Sequence, residues 1–119
     1  MKIFISHSRD FDFENELYKP LKNSSLNLIN AFFFPHEDGR NVNTQEKIKY
    51  SDLILAEVSF PSTGQGIELG WATGFGVHII CVSKEGAVIS SALKYVTTDF
   101  ITYSDKEDLV NKLTNFLKK

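Results

Sequence analysis

A doubly wound α/β domain is what this 119-residue sequence predicts, and three observations carry the prediction. Short apolar runs alternate with helical spacings along the chain. Two of those runs, DLILAEVS (52–59) and VHIICVS (77–83), are continuous and rich in β-branched residues, as strands buried on both faces are. The chain closes on a capped amphipathic segment. Alternation in this order implies a five-stranded parallel sheet with right-handed crossovers and helices on both faces, a flavodoxin-like arrangement.

KIFIS (2–6) is the first strand, followed by the polar HSRD and a helical spacing of Phe13, Leu17 and Leu21. LNLINAFFF (26–34) reads as the second strand, ended by Pro35 and the polar stretch HEDGRNVN. TQEKIKY is a short helix. DLILAEVS supplies the third strand, a glycine-rich stretch leads into a helix, and VHIICVS supplies the fourth strand. AVISSALKYV reads as helical and FITY (100–103) as the fifth strand. In SDKEDLVNKLTNFLKK, Ser104 with Glu107 three residues on forms a capping box for the last helix. The whole chain, 1–119, reads as one domain without internal repeats. Ligands of such sheets bind beyond the carboxyl ends of the strands, where strand order reverses, which singles out the loops at 6–10, 35–43, 59–66 and 83–90.

A net charge of -2, with 13 basic and 15 acidic residues intermixed, leaves no electrostatic footprint for duplex nucleic acid. Cys81 is the single cysteine, set in an apolar run where a buried structural thiol is expected; no disulfide framework or zinc cluster can be built from it. Nothing points to a metal or a cofactor. MKIFISHS lacks a long apolar core and cleavage site, and no run approaches the roughly 18 apolar residues of a membrane span. The cytoplasm is the expected compartment.

SFPSTGQGIELGWATG (59–74) carries the chemistry. Gly64 and Gly66 would let the backbone turn sharply and approach a ligand, and the amides of the following helix start would hold an anion. Glu68 is expected in the first helical turn, where the macrodipole favours its ionised form, and a carboxylate kept charged beside a binding loop suits a nucleophile. A plainer reading stands beside this one: an acidic residue in a first turn stabilises the helix whatever else it does. Gly66, Gly70 and Gly74 recur every four residues. At about 1 kcal/mol each against alanine, the stripe suggests close packing on the sheet or on a partner.

The segment SDLILAEVSFPSTGQGIELGWA (51–72) closely resembles the core motif of the nucleoside 2-deoxyribosyltransferase superfamily, above all its branch of 2'-deoxynucleoside 5'-monophosphate N-glycosidases. Weaker resemblance runs in register through KIFISHSR and VHIICVSKEGAVISSAL, so it spans most of the chain. The resemblance implies a flavodoxin-like fold and makes Glu68 the nucleophile that attacks C1' of deoxyribose and forms a covalent intermediate, released by water or by a second base. It places Ser62 against a 5'-phosphate, where the transferases acting on free nucleosides carry Asp; a hydroxyl can donate to a phosphate that a carboxylate would repel. Ser62 would equally serve as a helix cap. Ser6, His7 and Arg9 fall in the loop that holds phosphate- and sugar-binding groups; Arg9 matches an Arg of the branch, and His7 does not match a family residue. Ser90 aligns with a serine that a dimer partner lends to the neighbouring site, so a homodimer is implied.

The pattern breaks at one point. The resemblance calls for an Asp eight residues before Asp52, and Thr44 stands there. Glu46, Asp38 and Glu57 are the candidate replacements for the acid, Glu57 because it closes the third strand near the site. Two other readings follow. A relative that lost its acid would bind nucleotides without turning them over. FISHSRDFD (4–12) resembles the opening of TIR domains, some of which cleave NAD and others of which only assemble signalling complexes.

Overall fold

Among the described residues, 1–39 and 42–118 of the computed structural model, five strands form one sheet: β1 (Lys2–His7), β2 (Ala31–Phe33), β3 (Leu53–Glu57), β4 (His78–Lys84) and β5 (Phe100–Tyr103). Their order is β2-β1-β3-β4-β5, and every neighbouring pair is parallel. This is the expected flavodoxin-like order. Strand order reverses at β1, so the crevice between the carboxyl ends of β1 and β3 is the place for a ligand.

Alternation along the strands divides the core between two faces. Ile3, Ile5, Leu53, Leu55, Ile80 and Val82 face one way, against Leu17, Tyr18 and Leu21 and against Leu109 and Leu113. Those partners come from the π-helical turn Glu14–Tyr18, from α1 (Lys19–Lys22) and from the last helix. Phe4, Ile54, Ala56, Ile79 and Cys81 face the other way, against Ile48, Leu69 and Ala72. Burial pushes the Cys81 thiol up to about 12, so it is an inert core side chain.

Four local expectations need correction. Residues 26–29 are not strand: Leu26–Ile29 forms a short helix, α2, with Leu28 and Ile29 exposed. The register sets Ala31 against Lys2, the first residue of β1, so residues before 31 run past the end of the strand they would pair with. The short helices α3 (Pro35–Asp38) and α4 (Thr44–Lys49) follow β2. Of residues 87–96 only Ser91–Tyr95 is helical, as a 3-10 turn, with Ser90 accepting from Ala92 N at 3.3 Å. The cap of the last helix sits one residue later than read. Asp105 Oδ1 accepts from Asp108 N at 2.8 Å, and Asp108 Oδ2 accepts from Ser104 N at 2.9 Å.

The fourth correction concerns the helix that carries Glu68. α5 spans Thr63–Phe75 and α6 spans Lys106–Leu117. Ser62 caps α5, so Gly64 and Gly66 lie inside it, and Glu68 sits in its second turn rather than its first. The positive-φ glycines among the described residues are Gly76, which closes α5 at φ 72°, and Gly86. A Cβ at Gly64, Gly66, Gly70 or Gly74 would meet no heavy atom within 4 Å, so packing on the sheet does not explain the stripe. Gln65, Leu69 and Ala72 take the buried side of the helix instead. None of the helices among the described residues is long and apolar enough to cross a membrane.

Candidate active site

Ser6 is the next-to-last residue of β1 and points to the face covered by α5. Its hydroxyl donates to Glu68 Oε1 at 2.8 Å, across 62 positions of sequence. The contact lies at the crevice where strand order reverses, and it ties the first strand to the helix that follows the third. Burial raises the Glu68 pKa above its ordinary value, and the Ser6 hydrogen bond opposes that rise. The expected stabilisation by the first helical turn is therefore replaced by a different balance, in which one hydroxyl offsets part of a desolvation cost.

Glu68 opens on a cavity of about 540 Å³. His7, Ser8, Arg9 and Asp10 line it from the β1 loop, Pro35, His36, Gly39 and Thr44 from the segment after β2, and Ser62, Gly64 and Gln65 from the start of α5. Arg9 is exposed at the rim. His7 is enclosed: Tyr18 Oη donates to Nε2 at 2.6 Å, Nδ1 donates to Ser8 O at 2.8 Å, and the ring stacks on Phe13 at 4.4 Å. Burial, then His36 and Arg9, take its pKa down to about 4, so His7 is neutral with both nitrogens engaged. The His36 pKa is also lowered, chiefly by burial and next by Arg9.

The other candidates separate into two groups. Ser62 Oγ accepts from Gln65 N at 3.2 Å, which makes it a helix cap, while the residue also lines the Glu68 cavity. Ser90 and Gly66 line a neighbouring, mainly apolar cavity of about 440 Å³, which shares Ser62 and Gln65 with the first. Glu57, Glu46 and Asp38 are absent from the lining of the Glu68 cavity. Glu57 turns to the opposite face of the sheet and accepts from Ser59 N at 2.6 Å, from Ser59 Oγ at 2.9 Å and from Tyr103 Oη. Glu46 is exposed on α4, and Asp38 accepts from Phe34 N at 3.1 Å.

Ser8, His36 and Gln65 were not singled out in the sequence. Gln65 had a signal available, a polar side chain at the buried spacing of Leu69 and Ala72; His36 had none beyond its place after the second strand. Among the described residues no three His, Cys, Asp or Glu side chains are gathered as ligands of a metal ion.

Solved structures share this architecture. The CMP N-glycosidase BcmB of Clostridium botulinum superposes with a TM-score of 0.67 over 96% of this chain and 99% of that one, at 21% identity. A 2-deoxyribosyltransferase of Bacillus psychrosaccharolyticus gives 0.66 over 93% and 91%, also at 21% identity. That of Leishmania mexicana gives 0.57 over 81% and 71%, at 18% identity. The chain has the deoxyribosyltransferase fold. In sequence, 51 residues are 37% identical to the human 5-hydroxymethyl-dUMP N-hydrolase, covering 41% of this chain and 29% of that protein. The chain thus matches less than a third of the length of this relative. No protein-family model matches it. These neighbours are the superfamily and the branch that the 51–72 segment resembles.

Proposed function

We propose that the protein is an N-glycosidase acting on 2'-deoxynucleoside 5'-monophosphates, or a transferase that moves deoxyribose between bases, with Glu68 as its nucleophile. The observation that carries the reading is the Ser6–Glu68 contact at the reversal of strand order, open to a cavity large enough for a nucleotide. The names of the structural and sequence relatives, a CMP N-glycosidase, a 2-deoxyribosyltransferase and a 5-hydroxymethyl-dUMP N-hydrolase, support a nucleoside or nucleotide substrate.

In the reaction, a Glu68 carboxylate oxygen attacks C1', the C1'–N bond breaks, and its electron pair leaves with the base. Water, or the nitrogen of a second base, then attacks C1' and returns the carboxylate. Ser6 keeps one Glu68 oxygen oriented and leaves the other for attack. Ser62 and Arg9 hold the 5'-phosphate, aided by amides at the start of α5. The departing base needs a proton. Thr44 stands in the cavity wall where the resemblance calls for an acid, and the lowered pKa of His36 leaves that imidazole without a proton to give at neutral pH, so water entering the open cavity supplies it. In a homodimer, a second copy brings its own Ser90 to the rim, since the Ser90 of this chain opens on the adjoining cavity instead.

The test is release of free base from a panel of deoxynucleoside monophosphates, free deoxynucleosides and NAD, by wild type and by Glu68→Ala. Release from a monophosphate by the wild type alone supports the reading. Binding without release by either protein favours the second reading, a recognition module whose chemistry was lost with the acid at Thr44. Release from NAD alone favours the TIR-like one. Ser62→Asp should weaken monophosphates more than free nucleosides; equal losses would remove the phosphate assignment.

A further inference from the structure

Gln65 has no part in the mechanism above, yet its side chain is held as tightly as any at the cavity. The residue is 5% exposed. Its Nε2 donates to Ser6 O at 3.2 Å and to Glu57 O at 2.8 Å, bridging the carboxyl ends of β1 and β3. Both partners are main-chain carbonyls, which only accept, so the NH2 half of the amide must face them. Chemistry fixes the orientation of the group and leaves Oε1 with no part in this bridge.

Among the described residues Oε1 accepts no hydrogen bond, and no fully enclosed side-chain oxygen there lacks a partner. As far as the described residues go, Oε1 is therefore not fully enclosed, and the spaces Gln65 borders are the Glu68 cavity and its neighbour. A fixed acceptor at the wall of a cavity calls for a donor on whatever occupies it.

The identity of that donor rests on the function proposed above. With the 5'-phosphate at Ser62 and C1' at Glu68, the sugar lies along α5, whose rise of 1.5 Å per residue separates those two positions by about 9 Å. Gln65 is midway. Between its phosphate and its base a 2'-deoxyribose offers a ring oxygen, which only accepts, and a 3'-hydroxyl, which can donate. We propose that Gln65 reads the substrate sugar, accepting a hydrogen bond from the 3'-hydroxyl on Oε1. It is a specificity-determining residue that touches the substrate and takes no part in making or breaking bonds.

The experiment is calorimetric binding to Glu68→Gln protein, which holds ligand without turnover, using three ligands: a deoxynucleoside monophosphate, its 2',3'-dideoxy analogue and its 3'-fluoro analogue. With Gln65 intact, the two analogues should bind about tenfold more weakly than the parent. In a second background that adds Gln65→Met, all three should bind alike. Equal affinity for the parent and the dideoxy analogue overturns the assignment, as does a preference that survives Gln65→Met. The fluoro analogue decides without any change at position 65: fluorine keeps the size of the hydroxyl but cannot donate, so restored affinity would mean that the protein offers a donor and not Oε1. Failure of the functional reading has another signature, in which no monophosphate binds and the wild type releases no base, and that result overturns both.

Discussion

Two glutamates stand at the carboxyl edge of the sheet, on opposite faces of it, and their surroundings differ in kind. Glu57 is 1% exposed, and three donors from Ser59 and Tyr103 occupy its oxygens. Ser59 Oγ in turn accepts from Lys84 N at 2.8 Å, so this carboxylate fastens the ends of β3, β4 and β5 together. Among the described residues Glu68 has one partner, the Ser6 hydroxyl, and a cavity. Burial alone does not separate the two carboxylates. What separates them is whether the lone pairs are already spent within the fold.

The largest effects should test that division directly. Glu68→Gln should lower base release by at least about 10³-fold, the scale on which removal of a nucleophile is felt. Its fold should survive: the folded pKa of Glu68 is raised, so the ionised carboxylate destabilises the native state as pH rises through that value. The Gln variant should therefore be more stable than wild type at pH 7 and should lose that advantage as pH falls below the ordinary carboxyl value of 4.5. Glu57→Gln should behave in the opposite way. An amide placed against the Ser59 and Tyr103 donors leaves groups unpaired, which costs about 1–3 kcal/mol in urea unfolding, while activity of the folded protein stays within a few fold. Equal loss of turnover in both variants, with stability unchanged, would erase the distinction.

A smaller effect sharpens it. Since the nucleophile must be ionised, kcat/KM should fall on the acid side through the raised pKa of Glu68. Ser6→Ala removes the hydrogen bond that opposes the rise, so the acid limb should move to higher pH. An unmoved limb would show that Ser6 does not act on the carboxylate. His7 provides a reference in the same cavity wall. Its folded pKa, about 4, lies below the ordinary value of 6.5, so the unfolded chain binds the extra proton between those values and stability should decline as pH falls through that window. His7→Gln should flatten the decline.

The sheet and its reversal were legible in the sequence because continuous apolar runs mark strands that are covered on both faces, and β3 and β4 are such strands. Glu68 was legible because a short glycine-flanked motif carries it. Its turn of the helix was not, since placing a residue in the first or second turn depends on which residue caps the helix, and the glycines obscured the start that Ser62 sets. Glu57 is expected near Glu68 because it closes the strand that leads into the Glu68 helix. Alternation about Leu55 already put it on the far face, a step that needed the position of α5 to be complete. Contacts such as that of Ser6 with Glu68 join distant segments, and no local pattern encodes them.

The face of α5 that looks away from the sheet offers the smallest and most specific test. Thr63, Gly66, Ile67, Gly70 and Gly74 are exposed on the helix that holds Glu68, and none of them is charged. Gly70→Ala adds a methyl group that meets no heavy atom within 4 Å in this chain. In an isolated chain the replacement should stabilise the helix by up to about 1 kcal/mol, because glycine loses more conformational freedom on folding than alanine does. If a second copy packs closely on this face, the same methyl group lies at the contact, and the variant should dissociate in sedimentation at concentrations where the wild type stays associated. Gain of stability with unchanged association would place any contact between copies elsewhere on the surface.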